Sequence, residues 1–124
     1  MENKIKEILL KEIECEAIVL FGSYARGTQN SESDIDIAIK SNIKIDKKRL
    51  YEVARKLEDE LNKDIDLIDL EEIGDTFRYE ILVNGKTLYS KDELKFELYK
   101  LDMYREFLEL NESIQTFGYT YKMT

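Results

Sequence analysis

Asp34 and Asp36 stand two residues apart in Asp34-Ile35-Asp36-Ile37-Ala38-Ile39-Lys40. Strict alternation of this kind is the pattern of a half-buried β-strand. Both carboxylates then project from one face and the isoleucines from the other. Two carboxylates about 6 to 7 Å apart along a strand suit a pair of hard cations. Two such cations, about 3.5 to 4 Å apart, clamp the attacking and leaving oxygens of a phosphoryl displacement. A third carboxylate normally completes such a site. Asp66, within Ile65-Asp66-Leu67-Ile68-Asp69-Leu70, is the best candidate, because an aspartate inside an apolar strand is costly unless paired or metal-bound. Asp64 and Asp69 compete with it. Asp64 shares its face but sits at the strand's start, and Asp69 faces the opposite way by alternation and reads as a surface residue.

Gly22 and Ser23 follow the apolar run Ala17-Ile18-Val19-Leu20-Phe21. A glycine at the end of a strand lets backbone amides approach a phosphate closely. A serine hydroxyl and the start of a helical turn add donors. Ten residues separate Ser23 from Asp34, enough for the loop to fold back onto the carboxylate strand. Arg26 adds positive charge for a triphosphate. Taken singly, these signals are weak: Asp-x-Asp is more often a solvated strand face, and Gly-Ser after a strand is usually a turn. Their joint occurrence carries the weight.

The elements that hold these residues are legible from periodicity. Ile5, Ile8, Leu9 and Ile13 make one helical stripe over residues 3 to 14. Residues 17 to 21 read as a buried strand, and 22 to 33 as a loop with a single helical turn. After the strand at 34 to 40, Asp46 caps a helix reaching about Asn62, with Leu50, Val53, Ala54, Leu57 and Leu61 on its buried side. Residues 65 to 70 form a third strand. A short helix over about 75 to 83 ends at Asn84-Gly85, and Lys86 to Tyr89 make an edge strand. A last helix runs from near Asp92 to about Leu110, and Gln115 to Thr124 read as a tail. That helix carries two apolar stripes, Leu94, Leu98, Leu101 and Leu108, and Phe96, Tyr99, Met103, Phe107 and Leu110. One stripe can pack on the core; the second either widens the buried face or is left for a partner. The order is that of an α/β (α+β) fold: a small mixed sheet of about four strands flanked by helices. The step from 34 to 70 is long enough for a parallel crossover.

Composition narrows the chemistry. The chain's 124 residues, 43% of them apolar, suit one compact domain. No apolar run approaches the roughly 20 residues of a membrane span. Met1-Glu2-Asn3-Lys4 lacks the layout of a secretory signal, so a cytoplasmic protein is expected. Cys15 is the sole cysteine, and histidine is absent. That removes an internal disulfide, imidazole-based zinc sites and histidine-dependent triads. Oxygen ligands favour magnesium or manganese. A net charge of −8 works against stable binding of nucleic acid, which rests on Lys and Arg neutralising phosphates.

Gly22-Ser23-Tyr24-Ala25-Arg26-Gly27, Ser33-Asp34-Ile35-Asp36 and Ile65-Asp66-Leu67 together resemble the DNA polymerase β-type nucleotidyltransferase superfamily. Within it, the chain looks like the minimal nucleotidyltransferases, or MNT proteins, over roughly residues 15 to 90. The resemblance implies a nucleotidyltransferase domain over 1–90, with 91–124 packing on it. It implies that Gly22 and Ser23 bind the nucleotide phosphates, with Arg26 matching an arginine common in the subgroup. It implies that Asp34 and Asp36 ligate both of two Mg2+ (or Mn2+) ions and Asp66 the catalytic one. The size of the chain, Phe77 to Leu82 followed by Gly85 to Tyr89, and the tyrosine-bearing last helix are similar to MNT antitoxins that pair with HEPN-domain toxin ribonucleases. That likeness implies transfer of AMP from ATP to a tyrosine of the toxin, which silences it. Other readings are an antitoxin that inhibits by binding alone, and a transferase acting on a small molecule, for which the chain has little room. Nucleotide addition to RNA conflicts with the charge. A homodimer is compatible with the sequence, and Tyr104, Tyr119 and Tyr121 are alternative sites of self-modification.

Overall fold

A computed structural model describes residues 1–30 and 32–123, with side chains described through residue 109. Four strands, β1 (Ala17–Phe21), β2 (Ile35–Lys40), β3 (Ile65–Asp69) and β4 (Lys86–Ser90), form one mixed sheet in the order β3-β2-β1-β4. β1 pairs antiparallel with β2 and β4, and β2 pairs parallel with β3. The parallel pair is joined by α3 (Lys47–Leu61), as a parallel connection requires. The other helices are α1 (Glu2–Glu12), the single turn α2 (Ser23–Arg26), α4 (Asp75–Asn84) and α5 (Glu93–Met123).

Alternation along the central strands separates two cores. Ile18, Leu20, Ile35, Ile37 and Ile39 point to the face covered by α1 and α3, where they meet Ile5, Leu9, Val53 and Leu57. Ala17, Val19, Phe21 and Ala38 point to the face covered by α4 and α5, where they meet Ile81, Leu82 and Phe96. Asp36 lies between Ile35 and Ile37 on β2 and therefore belongs to the second face. Local chemistry sets the ends of α3: the Asp46 carboxylate accepts from the Lys48 amide at 3.2 Å, and Asn62 closes the helix at φ 53°. Glu12 joins α1 to α3 through Lys56 at 2.8 Å and Arg49 at 2.6 Å, and these cations hold its carboxyl below the usual range.

Two expectations from the sequence are corrected. Asp69 is not a surface residue: it is 3% exposed, and its carboxylate accepts from the Glu71 amide at 2.9 Å, capping a 3-10 turn over Leu70–Glu72. Its alternation is as expected, but the turn folds over the strand end and supplies the partner that makes burial tolerable. The last helix does not stop near Leu110 but runs to Met123. The chain has no proline and, between Gly85 and Gly118, no glycine, so no strong stop signal lies on the way.

Of the two stripes on α5, the aromatic one packs inward. Phe96 is buried, Tyr99, Met103 and Tyr104 sit against the α4 side of the core, and Phe107 stacks on Tyr79 with ring centroids 3.9 Å apart. Leu94, Leu98, Leu101 and Leu108 remain exposed, and Leu110 lies outside the described side chains. Tyr104 serves packing: its hydroxyl donates to the Leu82 carbonyl at 3.0 Å and burial pushes its pKa up. Tyr119 and Tyr121 lie outside the described side chains.

Cys15 is buried, and burial raises its pKa to about 12. At pH 8 the native thiol is expected to resist iodoacetamide, because the thiolate is the nucleophile. Alkylation followed by mass spectrometry should show modification at least about 100-fold slower in buffer than in denaturant. Equal rates would contradict this packing.

Candidate active site

The site forms where β1 ends and β2 begins. In the register of the antiparallel pair Phe21 stands opposite Asp36, and in the parallel pair Asp36 stands opposite Asp66. Two carboxylates on adjacent strands thus face the same side, next to the turn that leaves β1. Gly22 makes that turn at φ 72° and initiates α2. Its Cα lies so near Asp36 that any Cβ there would overlap the Asp36 carboxylate oxygen. The glycine's bareness is therefore what gives Asp36 its place.

A cleft of about 380 Å3 opens over these groups, lined by Phe21, Gly22, Arg26, Asp36, Asp66, Phe77, Glu80, Ile81 and Asn84. This volume lies within the roughly 300 to 1,000 Å3 typical of small-molecule sites. Its floor is the sheet and its wall is α4. The wall is tied to the end of β3 by Arg78, whose guanidinium donates to the Leu70 carbonyl at 2.7 Å and the Ile73 carbonyl at 3.0 Å.

Burial raises the Asp36 pKa first, and the carboxylates of Asp66 and then Asp34 raise it further; Arg26 opposes the shift. Like charges gathered at a half-buried point favour a proton or a cation. The donors are all oxygen, which fits magnesium or manganese. As they stand, no three acidic side chains among the described residues close into a metal-holding cluster.

The structure brings Gly22, Arg26, Asp36 and Asp66 together in the cleft. Ser23 begins α2 beside Gly22, and its carbonyl accepts from the Thr28 amide at 3.0 Å. Asp34 is exposed and lines a neighbouring polar cleft of about 520 Å3 with Glu32, Ser33, Arg55, Glu58, Asp59, Asn62, Lys63 and Asp64. It sits one residue before β2, so the ladder does not hold it as it holds Asp36. Asp64, the competitor of Asp66, belongs to that second cleft. Phe77 and Glu80 belong to the Phe77 to Leu82 stretch of the antitoxin likeness and Asn84 follows it, but that likeness gives them no role; the packing of α4 on the sheet places them in the lining of the cleft.

Residues 3–94 match the family model described as polymerase beta, nucleotidyltransferase. The chain belongs to this nucleotidyltransferase family. It is 36% identical over 107 residues to the protein adenylyltransferase MntA of Shewanella oneidensis, spanning 84% of this chain and 77% of that protein. It superposes with a TM-score of 0.83 on a chain of a toxin–antitoxin crystal structure with AMP-PNP, at 31% identity, covering 99% of this chain and 98% of that one. A structure of tri-AMPylated Shewanella oneidensis HEPN toxin in complex with MNT antitoxin matches with a TM-score of 0.77 at 28% identity, covering 99% and 96%. Nucleotidyltransferase membership and the mixed four-stranded sheet thus agree with what the Gly-Ser and Asp-x-Asp segments imply. No helix among the described residues is long and apolar enough to cross a membrane.

Proposed function

We propose that this protein is an adenylyltransferase antitoxin that moves AMP from ATP to a tyrosine of a cognate HEPN-domain toxin in the cytoplasm and so neutralises it. The observation that carries the reading is the Asp36–Asp66 pair, side by side in register and flanked by Gly22 and Arg26. The protein adenylyltransferase relative and the AMP-PNP-containing toxin–antitoxin neighbour support it. Residues 1–90 carry the transfer chemistry, and α5 packs on them through Phe96, Tyr99, Met103, Tyr104 and Phe107; the packing expected of 110–124 lies outside the described side chains. The four uncovered leucines of α5 agree with a protein partner.

In this reading Asp34, Asp36 and Asp66 hold two magnesium ions. Bound there, such ions supply charge neutralisation and lower the pKa of an attacking hydroxyl. Gly22 and Ser23 receive the phosphates, and Arg26 offsets their charge. The tyrosine oxygen forms a bond to the α-phosphorus, the bond from that phosphorus to the α–β bridging oxygen breaks, and pyrophosphate leaves. The phenolic proton passes to solvent water as the new bond forms. No histidine takes part, since the chain has none.

Incubation of the protein with its toxin, magnesium and ATP labelled at the α-phosphate is expected to place label on toxin tyrosine. Transfer of γ-label instead would make the chain a kinase. Toxin neutralised without any label would leave an antitoxin that acts by binding alone.

A further inference from the structure

We infer that the exposed face of α4 is the nucleoside-binding wall of the cleft, with Phe77 as the platform for the base and Glu80 and Asn84 as partners for its polar edge or the ribose. The inference rests on the nucleotidyltransferase reading and assigns a role to residues for which the sequence likeness gives none. Phe77 is 44% exposed, although it lines a cleft and large apolar side chains favour burial. The ring is not loose: it meets Phe21 edge-to-face, with centroids 5.8 Å apart and planes at 80°. Phe21 is itself the cross-strand partner of Asp36. A fixed, half-exposed aromatic ring thus stands one residue removed from the carboxylate pair. Bases of any identity stack on such a surface.

Charge orients the ligand in the cleft. Arg26 is its cation, and it acts on Asp36 beside Gly22. Glu80 follows Phe77 by three positions and Asn84 follows Glu80 by four, so the three share one face of α4. A carboxylate on that face repels phosphates and accepts hydrogen bonds from hydroxyl or amino groups. The uncharged half of a nucleotide therefore belongs against α4, and the triphosphate belongs at the Gly22–Arg26 end. Neither the Glu80 carboxylate nor the Asn84 amide needs to be withdrawn from a buried network for a ligand to reach it, since both residues are exposed.

The test compares two ligands of the full chain by calorimetry, magnesium ATP and magnesium tripolyphosphate, which lacks the nucleoside. Phe77→Ala is expected to weaken ATP about tenfold and to leave tripolyphosphate within about twofold of wild type. Phe77→Tyr should restore ATP binding. Phe77→Leu, which keeps an apolar contact on Phe21, should still lose it, which separates stacking from packing. Equal weakening of both ligands, or ATP binding unchanged in Phe77→Ala and Phe77→Leu, overturns the inference while leaving the nucleotidyltransferase reading intact. Wild-type protein that binds neither ligand overturns that reading and the inference with it.

Discussion

Replacing Asp36 by asparagine is expected to reduce AMP transfer by on the order of 1,000-fold or more while leaving the fold as stable as before or more so. The two halves of this result have one cause. The Asp36 carboxylate is held where its charge is disfavoured, by burial and by Asp66 and Asp34. Asparagine keeps the shape and removes the repulsion, so the folded state loses nothing at neutral pH. The reaction loses the charge it needs. Removing a single neutral donor from a preorganised site costs about 100- to 1,000-fold, and under the proposed reading, in which Asp36 would hold magnesium, its loss is expected to cost more than such a donor. The measurements are single-turnover transfer from α-labelled ATP and a thermal melt by circular dichroism. Transfer above one-tenth of the wild-type rate would remove Asp36 from the catalytic set. A melting point several degrees lower would show instead that the carboxylate is a structural partner.

Much of this arrangement is legible in the sequence, for reasons that differ by element. The α3 helix has a capping aspartate, an apolar stripe and a closing asparagine, so its local signals agree along its length. The strand at Ile35 to Lys40 is equally plain, because its isoleucines face the α1–α3 core and leave Asp36 on the other side. The neighbourhood of Asp36 and Asp66 follows from two strands joined by a helical crossover, although the residue-for-residue register is a tertiary fact. What the sequence hides is of another kind. Asp69 obeys alternation but is buried by a turn that begins one residue later, and strand periodicity holds no information about that turn. Asp34 shares the parity of Asp36, yet lies outside the ladder and lines a different cleft. Phe77, Glu80 and Asn84 read as ordinary helix surface until α4 is laid against β1. The long α5 exceeds expectation because amphipathic periodicity says where a helix can pack, not where an unstopped helix ends.

Gly22→Ala is expected to damage both stability and transfer, and it separates the two roles of this glycine. The first role is conformational. At φ 72° and ψ −150° the backbone occupies a region nearly reserved for glycine, so a side chain costs about 1 to 3 kcal/mol. The second role is spatial. The added Cβ would overlap the Asp36 Oδ2, with the Asp36 Cγ only 3.1 Å and Cβ 3.4 Å away. Asp36 is anchored by its pairing with Phe21 and Asp66 on a central strand, so its backbone cannot retreat. The escape left to it is side-chain rotation, which turns the carboxylate out of the cleft. Urea denaturation should therefore report a loss of about 2 to 4 kcal/mol, the backbone strain plus a local overlap. Transfer should fall about as far as in the Asp36→Asn variant even where the protein remains folded. The double variant Gly22→Ala with Asp36→Ala decides the origin. If the overlap matters, the pair is more stable than the sum of its single effects implies, by about 1 kcal/mol or more. If the effects add, the glycine is required for its φ alone, and the close approach to Asp36 contributes nothing.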